Sequence, residues 1–101
     1  MMDYVLSAGA ESDLNEIWDY IAEDNIDAAD RWIGTLFDAF DRLAGNPGMG
    51  HKRDDLTDFP VLFWPRGAYL ILYRVQKQSI EIVAVTQGAR DIPSLIGKRI
   101  Q

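Results

Sequence analysis

The chain has no cysteine and a single histidine, His51. A disulfide framework and a thiolate metal site are therefore excluded, and a lone imidazole has no second one with which to share an ion. A thiol-free composition suits a reducing compartment. Long apolar runs are also missing, so no segment is expected to cross a bilayer. Met1-Met2-Asp3-Tyr4 lacks the basic start and apolar stretch of a secretory signal. Repeats, low-complexity tracts and linkers are absent too. At 101 residues this leaves one cytoplasmic domain spanning 1–101, with no cofactor or metal called for.

Basic side chains are scarce where they would matter for nucleic acid. Residues 1–50 hold 11 acids against Arg31 and Arg42, whereas residues 51–101 hold 5 acids against 8 bases. The net charge of −6 argues against broad attraction to a polyanion, and no sequence-specific nucleic-acid binding is expected. A local basic patch in the second half stays open. Apolar residues make up 48% of the chain and aromatics 11%, enough for a packed core and too much for disorder.

Periodicity divides the chain into elements. Met2 to Leu6 reads as a strand, and Ser7 as an N-cap. Leu14, Ile17, Trp18 and Ile21 then repeat at the spacing of a helix face. Asp13, Glu16, Asp19, Glu23 and Asp24 crowd the rest of that helix; like charges three or four apart cost roughly 0.2–0.5 kcal/mol each. After a break at Asp24-Asn25-Ile26, Asp27 is a candidate cap for a second helix. Its stripe is Ala29, Trp32, Ile33, Leu36, Phe37, Phe40 and Leu43, and Gly45-Asn46-Pro47-Gly48 ends it. Two helices so joined form an antiparallel hairpin, and their stripes need a sheet to cover.

Met49 to Phe59 is a charged loop. Pro60 to Trp64, Ala68 to Val75 and Ile80 to Thr86 read as strands of an antiparallel meander, with turns at Pro65-Arg66-Gly67 and Gln76-Lys77-Gln78-Ser79. Asp91 caps a short last helix with Pro93 near its start. The fold class is α+β: a short N-terminal strand, a helix hairpin on a largely antiparallel sheet, and a short C-terminal helix. Alternation puts Tyr69, Ile71 and Tyr73 on one face of the central strand and Leu70, Leu72 and Arg74 on the other. For the last strand it groups Ile80, Ile82 and Ala84 against Glu81, Val83 and Val85. Both faces are thus largely apolar, while the hairpin covers one. The expectation is that the other stays open for a partner, with Trp64, Tyr69 and Tyr73 as amphipathic interface residues; closure by the 49–59 loop and the C-terminus is the competing reading.

Chemistry-bearing patterns are few. No Ser-His-Asp or Cys-His arrangement has an anchor, and no glycine pattern leads from a strand into a helix as a phosphate cradle requires. What remains is a set of cations: Lys52, Arg53, Arg66, Arg74, Arg90, Lys98 and Arg99. Arginines near strand ends suit phosphate or carboxylate; equally, Arg74 can meet an acid across the sheet and Arg90 can pair with Asp91.

This order of elements carries recognisable words. Asp13-Leu14 with Ile17-Trp18-Asp19-Tyr20-Ile21-Ala22 resembles the first helix of the ParE branch of the RelE/ParE toxin superfamily. Leu43-Ala44, Pro47-Gly48-Met49-Gly50 and Asp55-Leu56 resemble the loop after its second helix. Tyr69-Leu70-Ile71-Leu72-Tyr73-Arg74, Ile80-Glu81-Ile82-Val83 and Gly88-Ala89-Arg90-Asp91-Ile92 resemble its strands and tail. The resemblance implies the toxin of a type II toxin–antitoxin pair, directed at DNA gyrase and neutralised by a ParD-like antitoxin. RelE-like relatives instead cleave mRNA on the ribosome, using basic residues with a Tyr or His at the end of the last strand. Here that strand ends Val85-Thr86-Gln87-Gly88, so a non-enzymatic toxin is expected, with the endoribonuclease and a non-toxic antitoxin-binding scaffold as alternatives. The resemblance suggests Trp64, Tyr69, Tyr73 and Arg74 as antitoxin contacts. For the target, the candidates are Arg53, Arg66, Arg90, Ile92, Leu95, Lys98 and Arg99.

Overall fold

The computed structural model describes residues 3–88 and 90–100; Met2, expected to open the first strand, and Ala89 of the tail lie outside them. The order is β1 (Asp3–Leu6), α1 (Ala8–Ala22), α2 (Ile26–Gly45), one 3₁₀ turn at Pro47–Met49, β2 (Leu62–Arg66), β3 (Tyr69–Val75), β4 (Ser79–Gln87) and α3 (Ile92–Arg99). The four strands form one sheet in the order β1-β4-β3-β2, with β1 parallel to β4 and the other pairs antiparallel. The expected α+β architecture and its meander are present.

Local chemistry starts and stops these elements. Ser7 Oγ accepts from the Ala10 amide at 3.0 Å, capping α1. Asn25, not Asp27, caps α2: its Oδ1 accepts from the Ala28 amide at 2.9 Å, and Asp27 falls in the first turn, where the helix dipole favours an acid. Asp91 caps α3 through the Ser94 amide and hydroxyl. Arg66 pairs with Tyr69, so Gly67 and Ala68 make a two-residue hairpin turn. Gly67 sits at φ +60, and a Cβ there would come within 2.7 Å of the Trp32 ring.

The strand at 62–66 runs two residues further than expected, through Pro65. β2 is an edge strand. Phe63 turns its amide outward, to the His51 carbonyl at 2.8 Å, and Pro65, two residues on, faces the same way. No ladder donor is lost.

The core has two layers. Between hairpin and sheet lie Leu14, Ile17, Leu36, Phe40, Leu43, Ile71, Tyr73, Ile80, Ile82 and Val85. The opposite face is not open. Phe63, Leu72, Val83 and Ala84 on the sheet are sealed by Ile92, Leu95, Ile96 and Ile100 from the C-terminal segment and by Val61, with Leu56 of the loop packed alongside. The expected unclothed face is therefore corrected: the chain's own loop and tail clothe it. A second correction concerns the facing of β4. The register against β3 shifts between Leu72 and Tyr73, whose partners are Ala84 and Ile82, leaving Val83 as an extra residue. This β-bulge reverses the alternation, so Ala84 joins Val83 on the α3 face and Val85 joins Ile82 on the hairpin face.

Candidate functional site

The parallel pairing of β1 with β4 stops at Leu6 and Ile82, although β4 continues for five more residues. Side chains take over that edge. Ser7 Oγ donates to the Val83 carbonyl at 3.1 Å, and Arg99 Nη1 donates to the same oxygen at 3.0 Å. Asp13 Oδ2 accepts from the Val85 amide at 2.9 Å. Asp13 and Arg99 also meet as a bidentate pair, 2.8 and 3.0 Å, with side chains 7% and 21% exposed. The Asp13 carboxylate, by hydrogen bond and charge, holds the Arg99 guanidinium above its usual basicity against the desolvating effect of burial. Gly9 makes the reach possible, since a Cβ there would lie 2.5 Å from Arg99 Nη1.

Beyond this clasp the end of β4 and the flank of α1 enclose a cleft of about 430 Å³ lined by Asp13, Glu16, Ile17, Tyr20, Tyr69, Val85, Thr86, Gln87 and Arg90. Tyr20 is 69% exposed. Arg66, Tyr69 and Gln87 lie side by side in the register, so this end of the sheet brings Arg66 and Arg90 to one region. Neither has a carboxylate within ion-pair distance among the described residues. His51 is elsewhere: it bridges Phe63 on the outer edge of β2, and its ring stacks on Trp64 at 6.3 Å. The cleft thus offers a cation, two phenols, one glutamate and the Arg99-bound Asp13, and no imidazole for proton transfer.

The other residues singled out by sequence scatter. Tyr73 is 0% exposed; its hydroxyl donates to the Pro47 carbonyl at 2.6 Å and accepts from the Gly50 amide at 2.9 Å, tying the loop after α2 to β3. It is core rather than surface. Arg74 pairs with Glu81 at 2.6 Å across β3 and β4. Trp64 and Tyr69 are half-buried against the hairpin, and Tyr69 lies 6.0 Å from Trp32. Arg53 forms a local bidentate pair with Asp55. Ile92 and Leu95 are buried beneath the sheet, and Arg99 is committed to Asp13. Lys98 is exposed without an acidic partner among the described residues. Periodicity overlooked Asp13 and Tyr20, which sit on the flank of α1 beside its apolar stripe. Gly9, one turn before Asp13, was the available hint that another group crosses there.

The architecture defines a class, small α+β domains in which a helix hairpin lies on a mixed four-stranded sheet. One member of that class is a chain of the solved "Chromosomal ParDE TA system from P. aeruginosa", with TM-score 0.69, 21% identity, and coverage of 86% of this chain and 96% of that one. The family model described as ParE toxin of type II toxin-antitoxin system, parDE, matches residues 4–92. Two curated relatives, both Toxin ParE1, come from Mycobacterium tuberculosis strains CDC 1551 / Oshkosh and ATCC 25618 / H37Rv. Each is 32% identical over 92 residues, covering 88% of this chain and 92% of theirs. The chain belongs to the ParE toxin family of type II toxin–antitoxin systems.

Proposed function

We propose that this ParE-family toxin acts in the cytoplasm by binding DNA gyrase, without catalysis of its own, and that a ParD-like antitoxin neutralises it. The observation that carries the non-catalytic reading is the content of the β4 cleft. RNA cleavage by 2′-hydroxyl attack needs a base, an acid and cations placed for the developing phosphorane charge. Arg90 is the one cation lining the cleft, beside Glu16 and the phenols of Tyr20 and Tyr69, while Asp13 is engaged by Arg99 and the single histidine lies at the far side of β2. A protein surface uses such a cleft differently. An exposed aromatic beside an unpaired arginine is a composition suited to gripping another protein.

The decisive experiment is gyrase cleavage-complex formation with the purified toxin, with and without a ParD-like partner. Accumulation of cleaved DNA that the partner abolishes is the expected result. Rapid, specific loss of mRNAs on induction, with gyrase unaffected, would instead identify a ribosome-directed nuclease. Arg90→Ala is expected to lower toxicity by about tenfold or more, the loss typical of an interface arginine, while the thermal midpoint stays within a degree or so of wild type. An unfolded variant would make Arg90 a structural residue.

A further inference from the structure

The edge of β4 is unevenly protected. Up to Ile82 it pairs with β1; past that point side chains plug its backbone, Ser7 and Arg99 on the Val83 carbonyl and Asp13 on the Val85 amide. The plugging stops one rung short. Arg66 and Tyr69 close a two-residue hairpin, so the Tyr69 backbone faces β2, and Gln87 opposite it makes no ladder bond to β3. Val85, whose amide turns outward to Asp13, and Gln87 therefore both direct their backbone groups into the cleft beside α1. The Gln87 carbonyl accepts from the Arg90 amide at 3.2 Å. The Val85 carbonyl and the Gln87 amide have no partner among the described residues.

One acceptor and one donor, two residues apart, select a strand direction. An antiparallel neighbour exchanges both its bonds with a single residue, and Val85 and Gln87 each have one group left. A parallel neighbour takes the carbonyl of one residue and the amide two further on, which is the pair on offer. Such a strand runs in the direction of β1, with one of its residues opposite Thr86. Thr86 lines the cleft at 3% exposure, and its Oγ1 has no hydrogen-bond partner among the described residues. An apolar ligand would leave all three groups unmet. Charge then selects the occupant. Glu16 stands close enough to Arg99 to reinforce its raised basicity, so the acids of the cleft share that guanidinium. Beyond Gln87 come Arg90 on the cleft wall and Arg66 beside Tyr69, both exposed and without a carboxylate partner among the described residues. A parallel segment leaves the cleft past these two cations, where a carboxylate fits.

We propose that the target protein adds an extended segment to this open stretch of β4, parallel to it. The segment bonds the Val85 carbonyl and the Gln87 amide through its backbone, meets the Thr86 hydroxyl, and sets an Asp or Glu side chain on Arg90 and Arg66. The proposal rests on the target-binding reading above and gives it a mode. In strand addition the main-chain bonds supply affinity, and the side-chain contacts supply selectivity.

The test uses the full-length toxin and purified gyrase holoenzyme, with affinity and toxin amide exchange both measured. Gyrase is expected to slow exchange at the Gln87 amide about tenfold or more, since the free toxin leaves that group unbonded. Gln87→Pro deletes the outward amide at no cost to the ladder, and Thr86 before it is already extended. It is expected to weaken gyrase binding about tenfold or more. Asp54→Pro, at the second position of the Arg53–Leu56 turn where proline is favoured, is expected to change binding less than about twofold. Thr86→Val keeps the side-chain shape and removes the unmet hydroxyl. It is expected to weaken binding about threefold or more while the thermal midpoint holds or rises; a role in packing alone would leave affinity untouched. If Gln87→Pro melts early, amide exchange and Thr86→Val decide the matter. Tight gyrase binding with Gln87 exchange unchanged and Thr86→Val at wild-type affinity would overturn strand addition and leave the target reading standing. Protection of Gln87 by the antitoxin and not by gyrase would overturn the occupant. Failure of gyrase to bind wild-type toxin would overturn both readings.

Discussion

The two faces of the sheet are covered in different ways. On one, a hairpin of 15 and 20 residues lays down Leu14, Ile17, Leu36, Phe40 and Leu43, and the apolar burial is extensive enough that polar ties are incidental. On the other, an eight-residue helix and a stretch of loop do the covering, with Ile92, Leu95 and Ile96 as the helix's buried side chains. A helix that short is marginal alone. It is held by the Asp13–Arg99 pair, which also reaches the free edge of β4 through the Val85 amide and the Val83 carbonyl. A long cover is secured by area; a short one needs a clasp. That difference predicts where the molecule gives way first.

The largest effect is expected on the hairpin face. Phe40 is 0% exposed and packs against Tyr4 at 5.4 Å and Phe37 at 5.8 Å. Phe40→Ala should cost about 3–5 kcal/mol and lower the global transition as a whole, read by denaturant unfolding. A loss confined to part of the amides, with the sheet still protected, would mean that the hairpin is a separable unit and that the contrast between the faces is drawn in the wrong place.

The clasp comes next. Removing one partner of a buried ion pair strands the other, at a cost of about 3 kcal/mol or more. For Arg99→Ala the expected readout is local: amide exchange in α3 and at Val85 accelerates more than in α1 or α2. Lys98→Ala, one residue away and exposed, should change stability by less than about 0.5 kcal/mol. If the two variants behave alike, apolar packing alone holds α3 and the clasp is dispensable.

These contrasts also explain what was legible in the sequence. The Ser7 cap, the hairpin stripes and the Asp91 cap are local signals written within one helical turn, and they could be read. The sealed face could not, for two reasons. The bulge at Val83 reverses the alternation of β4, and a bulge is set by pairing with β3 rather than by composition. Arg99 looked like one more C-terminal cation because its partner lies 86 residues away in the chain. Tyr73 was ambiguous in the same way. Its ring belongs to the core by alternation, yet whether its hydroxyl meets solvent or the Pro47–Gly50 turn depends on where that loop folds. Arg74, by contrast, meets Glu81 across a short hairpin, a pairing that sequence reasoning could offer as one of two outcomes.

Tyr73 gives the finest test, because its hydroxyl is a polar tie on the face that relies chiefly on area. Tyr73→Phe keeps the ring but leaves the Gly50 amide without its acceptor, an expected cost of about 1–2 kcal/mol. Its pH signature separates this from a packing defect. Burial raises the phenol above its usual 10.0, against the opposing pull of the Gly50 amide. The folded chain therefore keeps a proton that the unfolded chain gives up, so the stability tied to this group is intact below pH 10 and falls as pH climbs from there through the folded value. Tyr4 is raised as well, chiefly by burial with Asp41 and Asp3 adding to it, so Tyr73→Phe should make the alkaline decline shallower without abolishing it. An alkaline limb of unchanged slope in Tyr73→Phe would show that the hydroxyl is as free in the folded chain as in the unfolded one, and the turn after α2 would then not be tied to β3 through it.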